Sequence, residues 1–284
     1  MKDGLTKNPV KCILVIYLIC FLFRIMEYMV VRTDYSIFGE AFLHKLTGII
    51  ILALTLRYFS LSWSSIGFTS KLVIRYSLYG LILGAAVYFI AYGSEILIQQ
   101  LNGNNPEVQI YVTSYGIHGN TRIQTGLLFL TFCVVGNIIN VIMEEGIFRG
   151  LFIRMLEKRG TFLKAAFISS IFFGFWHIAA PLRSLLDGEI RGTGMILSAI
   201  MLILTTGITG VKFCLLTKIT GSLWMAMADH FFNNIIINLL HIATSSGADE
   251  MQVIRISIAQ TVSFLIVLFI YIKSRANQKI TFRT

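Results

Sequence analysis

Charge is what this chain has least of. Only 13% of its 284 residues are Asp, Glu, Lys or Arg, where a soluble domain carries about 25%. With 56% apolar residues and a mean hydropathy of +0.76, it lacks the polar surface a water-soluble fold needs. That excludes a soluble domain and leaves an integral membrane protein. Its apolar runs are long enough for helices rather than barrel strands. Cysteine is scarce too. Cys12, Cys20, Cys133 and Cys214 sit in or beside apolar segments and none forms a Cys-x-x-Cys, so they read as packing residues and a disulfide framework is not expected. There is no basic stripe with interleaved aromatics outside the apolar runs. The net charge of +10, from 24 Lys+Arg against 14 Asp+Glu, therefore reads as an orientation signal and an affinity for anionic lipid, and no nucleic-acid partner is expected. The chain has no Gly-x-Ser-x-Gly elbow and no Gly-rich phosphate loop, which disfavours serine and nucleotide chemistry. No cysteine has a histidine neighbour in sequence, so cysteine chemistry is disfavoured as well.

Eight apolar runs remain, near 12–31, 46–66, 72–98, 126–156, 162–180, 193–217, 221–242 and 253–272. Gly67–Ser70 separates the second from the third. Pro181, one of three prolines, follows the fifth. Lys2, Lys7 and Lys11 precede the first run, as in a signal peptide. Arg24 and Glu27 interrupt where a cleavage site would come, so the run reads as a retained span. With the N-terminus inside, the inner segments hold Lys2, Lys7, Lys11, Lys71, Arg75, Arg154, Lys158, Arg159, Lys164, Lys212, Lys218, Lys273, Arg275, Lys279 and Arg283. The outer ones hold Arg32, Lys45, Arg122, Arg183, Arg191 and Arg255. Fifteen against six satisfies the positive-inside rule, with Arg24, Arg57 and Arg149 left inside the membrane. The expected fold is all-α: a polytopic membrane bundle of about eight transmembrane helices with both termini cytoplasmic. Residues 1–284 form one integral domain, and the longest polar connection, Leu101–Thr125, is an extracytoplasmic loop.

The informative residues are the few charges inside the runs, because each costs several kcal/mol in hydrocarbon and is usually functional. The fourth run contains Glu144-Glu145-Gly-Ile-Phe-Arg149. On a helix Glu145 and Arg149 stand at i and i+4, the favoured order for an ion pair. Glu144 points about 100° away and has no local partner. The bland alternative is a charge cluster that locks helices together. Two further runs carry Phe173-Gly-Phe-Trp-His177 and Asp229-His230-Phe-Phe-Asn233-Asn234. Phe173 with His177, and His230 with Asn234, share a helix face. At ~1.5 Å per residue from Lys158, Lys164 and Lys218, the side chains of Glu144, His177 and His230 all lie roughly 18–21 Å deep. A shared cavity requires such agreement and independent packing residues do not. Glu144 could then take a proton from water oriented by His177, and His230 with Asn234 could donate to an oxyanion. The same Glu144, His177 and His230 could instead hold a divalent metal such as zinc, although no His-Glu-x-x-His is present. Elsewhere, Arg24 and Glu27 read as a structural pair and Glu95 as a snorkelling end residue. Asp229 either orients a histidine or faces a polar neighbour. No role is expected for His44, His118 or His241.

Glu144-Glu145-Gly-Ile-Phe-Arg149, Phe173-Gly-Phe-Trp-His177 and His230-Phe-Phe-Asn-Asn234, in this order, resemble the CPBP family of intramembrane proteases, which includes the type II CAAX prenyl endopeptidases. The likeness spans Met143–Asn234, within a core of about 126–242, and Ser64-Ser-Ile-Gly-Phe68 resembles a short loop many members carry. The resemblance implies a glutamate-dependent membrane peptidase with its site open to the cytosol. It implies that Glu144 and His177 activate water, that His230 and Asn234 form the oxyanion hole, and that Glu145 and Arg149 support them. Asn233 competes with Asn234 for its role, and spacing favours Asn234. No cofactor is required in this reading, and zinc stays open. The expected partners are the lipid bilayer and a membrane-associated peptide or protein, prenylated or of the bacteriocin or signal type. The expected location is a bacterial plasma membrane. Two alternatives belong to other classes: a non-catalytic bacteriocin-immunity or scaffold protein of the same fold, and a proton-coupled transporter. The absence of an internal repeat weighs against the transporter.

Overall fold

In lipid every backbone N–H and C=O needs a partner inside the chain, so an uninterrupted apolar run folds as a helix. The computed structural model describes residues 8–36, 41–113 and 123–281; Lys2, Lys7, His118, Arg122 and Arg283 lie outside them. The helices are α1 (Pro9–Met26), α2 (Leu43–Phe59), α3 (Val73–Leu101), α4 (Leu127–Leu156), α5 (Phe162–Trp176), the short α6 (Ala179–Leu186), α7 (Gly192–Thr220), α8 (Trp224–Leu239) and α9 (Gln252–Thr281). Helix α1 begins on Asn8, whose side chain accepts from Lys11 N, and widens into a π-helical turn at Glu27–Val31. Six stretches among the described residues are long and apolar enough to cross a bilayer: Pro9–Val31, Val73–Leu101, Leu127–Leu156, Phe162–Leu186, Gly192–Thr220 and Gln252–Asn277. The protein is a multi-pass helical membrane bundle.

Two of the eight expected spans come out shorter. Helix α2 has 17 residues and α8 has 16, under the ~20 of a straight crossing. Helix α2 stops at Ser60 in the left-handed region, and a 3₁₀ turn at Ser64–Ile66 takes over. Helix α8 stops because residues 240–243 go into a strand. That strand, β4 (Leu240–Ala243), pairs antiparallel with β1 (Glu107–Ile110), His241 opposite Gln109. Strands β2 (Val112–Thr113) and β3 (Ile123–Gln124) make a second small ladder. The connection expected as a plain loop therefore carries strands that cap the helices.

The core falls into two groups of helices. Cys12, Leu52, Met143, Phe148 and Trp176 join α1, α2, α4 and α5. Val87, Tyr92, Phe213, Ala226, Ala259 and Val267 join α3, α7, α8 and α9. Val141, Leu223 and Met227 bridge the groups where α4 meets α8. All four cysteines are buried thiols outside any disulfide. A tight helix contact runs through Gly80 on α3: a β-carbon there would stand 2.3 Å from Met225 O and 2.8 Å from the Ala228 β-carbon on α8. Gly80-x-x-x-Gly84 is a small-residue seam of the kind that lets membrane helices meet backbone to backbone. Gly80→Val is expected to cost at least about 1–3 kcal/mol, the range for overpacking, because a backbone oxygen cannot swing aside. Unfolding in mixed detergent–SDS micelles would measure it.

Several charges sit elsewhere than expected. Glu95 does not snorkel; it is buried and accepts from Arg255 Nη1 at 2.6 Å. Asp229 orients no histidine but pairs with Lys212 Nζ at 2.6 Å. Lys212, Lys45 and Arg255 are buried, so they are not the surface charges that the positive-inside count takes them for. Arg57 lies exposed in the last turn of α2. His241 donates to Asp249 Oδ2 at 2.5 Å and stacks on Tyr111. Burial pushes the Asp249 carboxyl up, but the His241 and Arg255 hydrogen bonds outweigh it and hold the group below its ordinary value. A carboxyl depressed in the folded state stabilises the fold above its unfolded pKa and loses that contribution as pH falls. Melting temperature is therefore expected to drop as pH goes below about 4, and less steeply in Asp249→Asn.

Candidate active site

The site forms at the junction of the two helix groups, where α4 carries its acidic pair past α8. Helix α4 is not regular there. Glu145–Phe152 is π-helical, a widened turn that recurs at functional sites. The loop at Ser64–Phe68 packs close by: Gly67 O accepts from Leu223 N at 2.9 Å, and the Phe68 ring meets Trp224 edge-on. This loop thereby fixes the start of α8, six residues before His230.

Glu145 is fully buried. Its Oε1 accepts from His230 Nδ1 at 2.8 Å, and its Oε2 lies 3.4 Å from Arg149 Nε. The expected Glu145–Arg149 pair is present, with His230 as a third member. Arg149 lays its guanidinium on the Phe173 ring at 3.8 Å. A β-carbon at Gly210 of α7 would come within 3.2 Å of Arg149 Nη2, so the glycine makes room for the cation.

Glu144 finds its partners on other helices. Trp176 Nε1 donates to Oε1 at 2.9 Å, Arg24 Nη1 lies 3.8 Å from Oε1, and His230 Nε2 lies 3.7 Å from Oε2. The carboxylate feels the charges of His230, His177 and Arg24. His177 is the C-cap of α5 rather than a mid-helix residue. Its Nδ1 donates to Phe173 O at 2.8 Å, which leaves Nε2 as an acceptor. The Phe173 ring touches both imidazoles, at 4.8 Å from His177 and 6.2 Å from His230.

A cavity of about 470 Å³ opens in front of the histidines, between α5, α7, α8 and α9. His177, His230, Asn233 and Asn234 stand on its wall with Phe173 and Phe213. Glu144 and Glu145 lie behind the imidazoles, 2% and 0% exposed. The two asparagines are set apart by their bonds. Asn233 Oδ1 accepts from Tyr88 OH and Gln260 Nε2, at 2.5 and 2.7 Å, and its amide donates to Asn234 Oδ1. Asn233 is thus held on three sides by these bonds, whereas Asn234 is engaged through its oxygen. The cavity reaches Ser198, Ile237 and Val253, close to the α7 start, the α8 end and the α9 start, on the side away from the basic helix ends.

Among the described residues, no three His, Cys, Asp or Glu side chains are grouped to hold a metal ion. In the supposed zinc set His230 Nδ1 is held by Glu145 and Glu144 Oε1 by Trp176, which leaves His230 Nε2 and Glu144 Oε2, 3.7 Å apart, as the atoms that could meet a ligand. The Arg24 guanidinium 3.8 Å from Glu144 would disfavour a dication beside it.

Sequence reasoning missed three members. Arg24 does not pair with Glu27; His44 stands between them, with Nε2 at 3.1 Å from Arg24 Nη1 and Nδ1 at 2.6 Å from Glu27 Oε2. Trp176 was legible only as the residue before His177, although a buried indole needs an acceptor for its N–H. A family model described as type II CAAX prenyl endopeptidase Rce1-like matches residues 126–236. That segment runs from the start of α4 into α8, and it carries all three motifs on which the resemblance rests. No curated protein matches the chain.

Proposed function

We propose that this chain, whose α4-to-α8 segment matches the Rce1-like type II CAAX prenyl endopeptidase family model, is an endopeptidase that hydrolyses a peptide bond in a membrane-associated peptide or protein. That match supports a membrane protease of the CAAX type; the residues and their roles are our reading. The observation that carries it is the meeting of Glu144 from α4 with His230 from α8, 3.7 Å apart at the back of a cavity that His177 also lines.

In this reading water enters between the imidazoles. His177 Nε2 accepts one of its hydrogens, and Glu144 takes its proton as the oxygen adds to the scissile carbonyl carbon. The C=O electron pair moves onto the carbonyl oxygen, which is met by the Asn234 amide and by His230 Nε2–H. For that donation His230 carries both protons, the one on Nδ1 held by Glu145. Collapse of the tetrahedral adduct breaks the C–N bond, and the proton on Glu144 leaves with the amine. Glu145 and Arg149 hold His230 in place. The wall of the cavity is mostly apolar, with hydroxyls from Thr205, Thr206 and Thr209. That suits an extended segment arriving from lipid, whether or not it is prenylated.

The test compares wild type with Glu144→Ala in liposomes loaded with membrane peptides, products read by mass spectrometry with and without a chelator. New C-termini that need Glu144 and survive chelation support the reading. Their persistence in a folded Glu144→Ala protein refutes it. The burial of Glu144 behind the imidazoles favours a second reading, a non-catalytic immunity or scaffold protein of this fold, which predicts the same peptides from both proteins.

A further inference from the structure

The first helix ends in a buried chain of polar groups that the three motifs do not include. Glu27 Oε2 accepts from His44 N at 2.5 Å and faces His44 Nδ1 at 2.6 Å; Glu27 Oε1 accepts from Leu43 N at 2.8 Å and from the Thr33 hydroxyl. His44 Nε2 faces Arg24 Nη1 at 3.1 Å. A guanidinium can only donate. His44 Nε2 must therefore accept, its proton sits on Nδ1, and that proton goes to Glu27. One tautomer satisfies all three residues. Arg24 lies between two rings, with Tyr28 at 4.8 Å and Trp176 at 4.7 Å. Its Nη1 comes to 3.8 Å from the Glu144 Oε1 that Trp176 also holds. Arg24, Glu27 and His44 are 5%, 2% and 1% exposed. A purely structural lock between α1 and α2 would be complete with Glu27 and His44. It would give no reason for a cation to stand against Glu144, the α4 carboxylate that faces His230 Nε2.

We propose that Arg24, oriented by the Glu27–His44 pair, is a positioning residue for Glu144: it fixes the carboxylate's Oε1 edge so that Oε2 faces His230 and the cavity. The role given to Glu144 is that of the proposed function, on which this inference rests. Arg24 touches no substrate, and its effect passes through Glu144 and Trp176.

Two readouts separate the failure of this idea from the failure of the protease reading. The first is independent of cleavage. The chain has three tryptophans, so the Trp176 indole N–H signal is assignable in detergent by its loss in Trp176→Phe. Glu27→Gln touches neither Trp176 nor Glu144, yet it is expected to move the Trp176 signal toward its position in Glu144→Gln while Trp63 and Trp224 stay. An unmoved Trp176 signal would overturn the proposal. The second uses a quenched fluorogenic copy of the peptide that wild type cuts and Glu144→Ala does not. Arg24→Met is expected to lower kcat by up to roughly a hundredfold, as when a reacting group is displaced by about 1 Å, with KM unchanged. Arg24→Lys, which keeps the charge and covers for a Met variant that fails to fold, is expected to recover most of the rate. A folded Arg24→Met protein with wild-type kcat, an Arg24→Lys protein as slow as Arg24→Met, or a change confined to KM would each overturn the assignment. If Glu144→Ala itself cuts normally, the protease reading falls and the indole signal still decides whether the triad holds Glu144.

Discussion

Glu144→Gln is expected to fold as wild type does and to lose roughly 10²–10⁴-fold in cleavage rate, the range general acid–base catalysis supplies. Glutamine keeps the Oε1 that accepts from Trp176 at 2.9 Å, so the indole stays in place. What it loses is the charge that faces His230 at 3.7 Å and Arg24 at 3.8 Å, and with it any capacity to take a proton. Glu145→Gln supplies the contrast. Its Oε1 would still accept from His230 Nδ1, now without charge, so we expect a smaller fall in kcat. The two variants differ by one position on one helix, and hydropathy or expression cannot tell them apart. Rates on the fluorogenic peptide, with melting temperatures alongside, measure both. A folded Glu144→Gln protein that keeps its rate would remove Glu144 from the chemistry.

How much of this was legible follows from what periodicity encodes. Eight helices could be read because lipid forces helices on apolar runs. The meeting of Glu144 with His230 could be read because depth in a bilayer is a coordinate that residue counting approximates. Side-chain partnership across helices is not in that coordinate. Arg24 and Glu27, at i and i+3, satisfy the rule for a local pair, yet His44 from α2 fits between them and meets both. Glu95 stands near a helix end, where snorkelling is the usual outcome. Arg255, from the start of α9, makes burial cheaper. The strand at Leu240–Ala243 looks like the tail of an apolar run, and only β1, more than a hundred residues earlier, draws it out of the helix. Gly80-x-x-x-Gly84 was the one overlooked signal fully present in the sequence.

Arg149→Met is expected to destabilise the fold by about 3–5 kcal/mol, the usual loss when one partner of a buried ion pair is removed. Arg149 and Glu145 have side chains 1% and 0% exposed, so water cannot replace the missing guanidinium. His230 would remain as the sole partner of the Glu145 carboxylate. Part of the loss is packing: the guanidinium lies 3.8 Å from the Phe173 ring and 5.2 Å from the Phe213 ring, and methionine fills that slot without the charge. The damage should also spread to the site, because Phe173 O is the acceptor that sets His177. The double variant Glu145→Gln/Arg149→Met separates these contributions. Once the carboxylate is neutral, losing the cation leaves no orphan charge, so the double variant should be more stable than the sum of the single losses predicts, by about 1–3 kcal/mol, the range for residues in one network. Unfolding in mixed micelles gives the stabilities and single-turnover cleavage gives the rates. If instead the losses add, Arg149 acts through packing alone. The i, i+4 pair would then be a fixture of the π-helical turn and not what holds His230 against the cavity.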